Sequence, residues 1–312
     1  MHNLALALHH KGFKVTGSDD EFFEPSKSRL ANAGLLPEKT GWHAERITSE
    51  LDAVILGMHA REDNPELIEA RRLGIKVYSF PEYLYQQTCN KIRVVVGGSH
   101  GKTTTTSMIM HVLRTLGKDF DYMVGAQIEG FDTMVRLTEE APVAIFEGDE
   151  YLSSPLDLTP KFHRYKPNVA LLTGIAWDHI NVFPTWDNYV SQFATFAQTI
   201  EPKGSLIYYD GDVELCKIAS ALRDDVKALP YSGLNYTLYG DTTIVTYEDK
   251  QYNINVFGKH NMQNMHGALL ACMQIGIAPH DFFKAIESFS GAAKRLQKLK
   301  ETASSVAYLD FA

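Results

Sequence analysis

The chain has 312 residues, 45% of them hydrophobic, enough for two domains of ordinary size with real cores. Its formal charge is −8, with no Lys/Arg cluster interleaved with aromatics and no apolar run of bilayer-spanning length, which leaves no footprint for nucleic acid or a membrane. Cys89, Cys216 and Cys272 are far apart without metal spacing, and read as core residues of a protein in a reducing cytoplasm.

Residues 1 to about 90 alternate short helices and strands. The run Leu4-Ala5-Leu6-Ala7-Leu8 lacks a basic leader and is broken at His9-His10-Lys11, so it reads as a helix rather than a signal peptide. A strand from Phe13 to Thr16 and the turn Gly17-Ser18-Asp19-Asp20 follow. In a doubly wound unit these are helix one and strand two, with strand one and its glycine loop absent. Strands at Leu51 to Leu56 and Ile75 to Tyr78, and helices at Pro65 to Leu73 and Pro81 to Gln87, complete a small parallel α/β unit. A second unit runs from about 91 to 300. It has apolar strands at Val94, Val143 to Phe146, Val169 to Thr173 and Leu206 to Tyr209. A β-rich patch at Thr242 to Val256 and helices at about Asn261 to Ile275 and Asp281 to Phe289 follow. The last residues, Val306 to Phe311, resemble the first strand of something further.

The most informative segment is Gly97-Gly98-Ser99-His100-Gly101-Lys102-Thr103-Thr104, between a β-branched run and a helix with Met108, Ile109, Val112, Leu113 and Leu116 at helical spacing. Small residues there let backbone N–H groups turn toward a polyphosphate, and the helix start adds partial positive charge. Lys102 can reach the outer phosphates and the Thr103 hydroxyl can ligate Mg²⁺. The pattern predicts ATP or GTP binding, although Val96 stands where the common form of the loop has its first glycine.

Glu147-Gly148-Asp149-Glu150 follows a strand. Carboxylates at that end of a parallel sheet face the ligand crevice and are placed to hold Mg²⁺; an acidic surface turn is the alternative. Trp177-Asp178-His179 follows the next strand on the same edge, which makes His179 either a metal ligand or a satisfied structural histidine. In Phe257-Gly258-Lys259-His260-Asn261-Met262-Gln263-Asn264 the spacing puts His260 and Asn264 on one helix face, where an amide can pair with an adenine edge. Asn261 reads equally well as a plain N-cap.

These blocks, in this order and over nearly the whole chain, resemble the Mur ligase family, ATP-dependent amide ligases of peptidoglycan precursor synthesis or recycling. The resemblance implies a Rossmann-like N-terminal domain (residues 1–90, N-terminally incomplete), a P-loop NTPase-type central domain (91–300) and the start of a missing third domain (301–312). Within the family the loop is shorter, which accounts for Val96, and Gly98, Ser99, His100, Gly101, Lys102, Thr103 and Thr104 then hold ATP. Glu147 and His179 become magnesium ligands beside Thr103, His260, Asn261 and Asn264 line the adenine site, and Arg295 approaches the γ-phosphate. Lys102, Arg295, Glu147 and His179 carry catalysis. Ser18, Asp19 and His43 match a uridine-nucleotide domain of the branch that accepts UDP-N-acetylmuramate. Several branches carry a carboxylated lysine after the metal histidine; no lysine lies between Lys166 and Lys203 here. The amine implied is the tripeptide L-alanyl-γ-D-glutamyl-meso-diaminopimelate, on the segments Glu150-Tyr151 and Lys161 to Pro167, with L-alanine as the alternative. Because the third domain would largely hold the amine, this chain alone is expected to bind ATP without closing the amide bond. The rival from another class is a non-catalytic P-loop nucleotide-binding module.

Overall fold

The computed structural model describes residues 1–178, 181–239, 242–291, 297–302 and 305–309. His179 and Arg295 lie outside the described residues. At the centre is a seven-stranded sheet in the order Lys227–Tyr231, Ser205–Tyr209, Val169–Leu172, Ile92–Gly97, Val143–Glu147, Asp121–Met123, Val135–Arg136, parallel throughout except for the last pair. Strands buried on both faces need apolar residues at every position, with alternate ones serving opposite cores. Val94, Val96, Ile145 and Leu171 enter one core; Val95, Ala144, Phe146, Ala170 and Leu172 enter the other. Helices Lys102–Thr115 and Lys259–Gln274 cover the first face through Met108, Val112, Met265 and Leu269. Helix Trp186–Gln198 covers the second through Tyr189, Phe193 and Phe196, joined by Leu4, Ala7 and Leu8 of helix His2–His10.

From Ile92–Gly97 the chain passes through its helix to Asp121–Met123, two places to one side, returns through Val143–Glu147 and crosses to Val169–Leu172 on the other side. Connections thus diverge at the C-terminal end of Ile92–Gly97, which opens a crevice there.

The first unit holds a parallel pair, Ala53–Leu56 with Lys76–Ser79. Its helices are cut by local signals. Asn64 caps Pro65–Arg72 by accepting from the Glu66 and Leu67 amides, and Ser79 with Glu82 forms a capping box on Phe80–Thr88. The strand expected at Phe13 to Thr16 is absent: the segment has no ladder partner among the described residues, and an apolar run becomes a strand only beside another. Where the units join, the fully buried Arg93 donates to the carbonyls of Thr88, Cys89, Lys91, Tyr165 and Lys166 and pairs with Glu201 at 3.1 Å.

The β-rich patch is a three-stranded antiparallel sheet, Tyr236–Tyr239, Thr242–Tyr247 and Lys250–Ile254. Val306–Leu309 pairs antiparallel with Gln297–Glu301. The cysteine reading needs correcting: Cys272 is buried, but Cys216 is half-buried and Cys89 exposed, because the latter sit at a helix end and on a helix flank. No described helix is long and apolar enough to cross a membrane.

Candidate nucleotide-binding site

The loop after Ile92–Gly97 turns through two left-handed glycines, Gly98 at φ +126° and Gly101 at φ +79°, and the helix begins at Lys102. Its first turn contains no acidic residue, so no carboxylate of that turn offsets the N–H groups that helix geometry leaves unpaired there. Ser99 fastens the loop to the neighbouring strand end. Its amide donates to the Gly174 carbonyl (2.9 Å), and its hydroxyl donates to the Ala176 carbonyl and accepts from the Ala176 amide (both 2.8 Å). Lys102 curls back, its Nζ donating to the Gly98 carbonyl at 2.7 Å and lying 3.1 Å from Glu150 Oε2. His100 is exposed at the crest, and Thr104 is half-buried in the first turn.

Thr103 and Glu147 meet beside the loop. The Thr103 hydroxyl donates to Glu147 Oε1 at 2.7 Å, and the Gly125 amide donates to Oε2 at 3.1 Å. Burial raises the Glu147 carboxyl above the usual range, with nearby Asp149 adding to it; the bonds from Thr103 and Gly125 and the charge of Lys102 oppose it. A buried carboxylate and a hydroxyl offer the hard oxygen donors that Mg²⁺ prefers. No three His, Cys, Asp or Glu side chains cluster for a metal among the described residues, and His179, the further ligand expected, is outside them.

Helix Lys259–Gln274 delivers Asn264 against the loop, so closely that a Cβ on Gly101 would overlap the Asn264 amide. His260 is exposed. Asn261 is not the N-cap. That place belongs to Gly258, and Asn261 Nδ2 donates back to the Phe257 carbonyl at 2.8 Å. In the first unit Ser18 and His43 converge on Glu66: the Ser18 hydroxyl (2.6 Å) and the His43 amide (2.8 Å) both donate to Oε1. Arg46 donates to Ser18 Oγ at 3.2 Å, and the Asp19 carbonyl accepts from Gly41 at 2.8 Å. Burial and the adjacent Asp20 raise the Asp19 carboxyl.

Sequence reading missed Glu66, Arg46 and Tyr189. Glu66 follows the Asn-Pro helix start, a signal that identifies a cap rather than a hub. Nothing in the sequence relates Tyr189 to the loop.

Residues 96–272 match the Mur ligase middle domain and residues 1–91 the Mur ligase family catalytic domain. The chain belongs to the Mur ligase family. It is 30% identical over 316 aligned positions to a UDP-N-acetylmuramate--L-alanine ligase of Rubrobacter xylanophilus, covering 99% of this chain and 68% of that protein. It is 28% identical to the UDP-N-acetylmuramate--L-alanyl-gamma-D-glutamyl-meso-2,6-diaminoheptandioate ligase of Haemophilus influenzae, covering 100% and 70%. Among solved structures, the UDP-N-acetylmuramate:L-alanyl-gamma-D-glutamyl-meso-diaminopimelate ligase of Neisseria meningitides shares the fold at TM-score 0.81 and 23% identity, covering 93% of this chain and 94% of that one. A murein peptide ligase of Psychrobacter arcticus does so at 0.80 and 24%, covering 100% and 70%. Mur ligases are ATP-dependent amide ligases.

Proposed function

We propose that this chain performs the ATP-driven activation in a peptidoglycan-precursor ligase, making the carboxylate of UDP-N-acetylmuramate reactive toward an amine. The observation that carries the reading is the convergence of Lys102, Thr103 and Glu147 at the sheet's switch point, on a loop anchored through Ser99. A carboxylate is a poor electrophile. Attack of its oxygen on the γ-phosphorus, with ADP leaving, gives an acyl phosphate; the amine then attacks the acyl carbon and phosphate departs. Lys102 and the amides at the helix start spread the charge of the transferring phosphoryl group. Thr103, Glu147 and His179 would hold Mg²⁺, which would supply positive charge against that of the phosphates. Arg295 is assigned to the γ-phosphate, Asn264, Asn261 and His260 to adenine, and Ser18, Asp19 and His43, in a uridine-nucleotide unit before residue 91, to the UDP-sugar.

The tripeptide is our assignment for the amine, on Glu150-Tyr151 and the Lys161 to Pro167 segment. L-Alanine is the second reading, favoured by the Rubrobacter relative. Calorimetric titration with ATP and Mg²⁺ tests the core of the proposal: binding is expected, and its absence would overturn the site. Mass spectrometry after incubation with ATP, Mg²⁺, UDP-N-acetylmuramate and either amine, run on this chain and on a longer polypeptide containing it, reads the acceptor. An alanine adduct alone would reverse the assignment, and no amide from either protein would leave a nucleotide-binding module.

A further inference from the structure

The helix that closes the second face of the sheet carries a polar atom where apolar packing would suffice. Tyr189 is fully buried, its ring packed edge-on to Phe193 (5.2 Å between centroids) and tilted against Phe183 (5.4 Å). Its hydroxyl lies 2.9 Å from Ser99 Oγ in the phosphate loop and 3.3 Å from Glu150 Oε1. The other oxygen of Glu150, a carboxylate only 1% exposed, is 3.1 Å from Lys102 Nζ.

The protons in this group have a forced direction. A carboxylate only accepts, and an ammonium only donates. Tyr189 therefore donates to Glu150, Lys102 donates to Glu150 and the Gly98 carbonyl, and the Ser99 hydroxyl, which accepts the Ala176 amide, shares its one proton between the Ala176 carbonyl and the Tyr189 oxygen. Burial and the Glu150 charge hold the phenol protonated, which keeps it a donor. One hydroxyl thus ties together the loop's second residue and the carboxylate that aims the loop's lysine. A lysine on a flexible four-carbon stem gains most from such fixing, because the stem's freedom is otherwise lost on contact with phosphate.

We propose that Tyr189 is a positioning residue for Lys102: through Glu150 and Ser99 its hydroxyl preorganises the lysine and the loop for the outer phosphates of a nucleoside triphosphate. The proposal rests on the nucleotide reading of the loop. Tyr189→Phe keeps the ring and removes only the hydroxyl. Tyr122→Phe is the control, since Tyr122 is also buried and its hydroxyl meets only Thr133 Oγ1, at 3.5 Å, among the described residues.

ATP affinity of the full chain with Mg²⁺ should fall about tenfold in Tyr189→Phe, the worth of one hydrogen bond in an otherwise unchanged site. It should not change in Tyr122→Phe. The decisive arm is a double-mutant cycle. With Lys102→Ala as background, Tyr189→Phe should cost clearly less than it does alone, because the part of its effect routed through that lysine is already gone. A full additional loss there, or an unchanged affinity in the single variant, would overturn the positioning role. ATP affinity retained in Lys102→Ala alone would instead overturn the nucleotide reading, so the two failures are distinguishable. Circular dichroism and urea midpoints guard against misfolding, and a variant that fails to fold would show the hydroxyl to be structural and overturn the proposal.

Discussion

Replacing Gly98 with alanine tests whether the loop is fixed by its backbone. At φ +126° an L residue is strained by about 1–3 kcal/mol. The new Cβ would also lie 2.9 Å from the Thr173 amide nitrogen and 3.1 Å from the Gly174 carbonyl, and would overlap the Thr173 hydroxyl. Those atoms cannot swing aside: the Thr173 amide donates to Gly97 at 3.1 Å, and its hydroxyl bonds the carbonyls of Gly97 and His100. Overpacking of this kind adds about 1–3 kcal/mol, for roughly 2–6 kcal/mol in all. In a domain of roughly 150–250 residues each kcal/mol lowers Tm by roughly 2–4 °C. If the loop shifts instead, Lys102 loses the Gly98 carbonyl and ATP affinity falls by about tenfold or more. Calorimetry reads both. Gly12→Ala is the comparison, since Gly12 has φ +95° and nothing within 4 Å of its would-be Cβ; only the backbone term remains there. A Gly98→Ala protein with wild-type Tm and ATP affinity, or a Gly12→Ala protein equally damaged, would refute the reasoning.

Lys102→Ala should leave the fold intact and lower ATP-dependent turnover of an active ligase by roughly 10²- to 10³-fold, measured as ADP release; near-native turnover would remove the loop from the mechanism. Glu147→Gln removes a buried charge, so the urea midpoint should hold or rise, while the Mg²⁺-dependent part of ATP affinity is lost in titrations with and without the metal. His163 is buried, with Nε2 2.7 Å from the Gln192 carbonyl, and desolvation lowers its pKa. The unfolded chain therefore takes up a proton below about pH 6.5 that the native state refuses. This contribution is complete above that pH and lost as pH falls toward the lower folded value. His163→Gln should flatten the decline in urea stability between pH 7.5 and 5.5, and an unchanged slope would contradict the assignment.

The phosphate loop was legible because strand, glycines, lysine and helix are contiguous, and each is written in local chemistry. Glu147 was legible for the same reason, as the first residue past an apolar run. What failed depends on distant partners. Phe13 to Thr16 has the composition of a strand, but pairing is supplied by another segment. Asn261 looks like a cap in sequence, yet Gly258, with φ +91°, starts the helix three residues earlier, and the N-cap preference, which ranks asparagine above glycine, points to the wrong one. Tyr189 falls at an apolar-stripe position of its helix, where a tyrosine reads as core filling; only the fold brings its hydroxyl to Ser99, ninety residues earlier in the chain.

The buried guanidinium of Arg93 has a mechanical consequence. Because it gathers the carbonyls of Thr88, Cys89 and Lys91 together with those of Tyr165 and Lys166, the peptide planes after helix Phe80–Thr88 cannot rotate one at a time. That helix is held to the sheet from its sides as well, through Leu84 in the core and Glu82 at 3.2 Å from Arg164. A swing of the first unit would leave Phe80–Thr88 behind with the sheet, and with it helix His2–His10, whose Leu4, Ala7 and Leu8 share that core. The moving part would then run between two fixed ends, helix His2–His10 on one side and the capping box at Ser79 on the other, some ten residues before the change of character near residue 90.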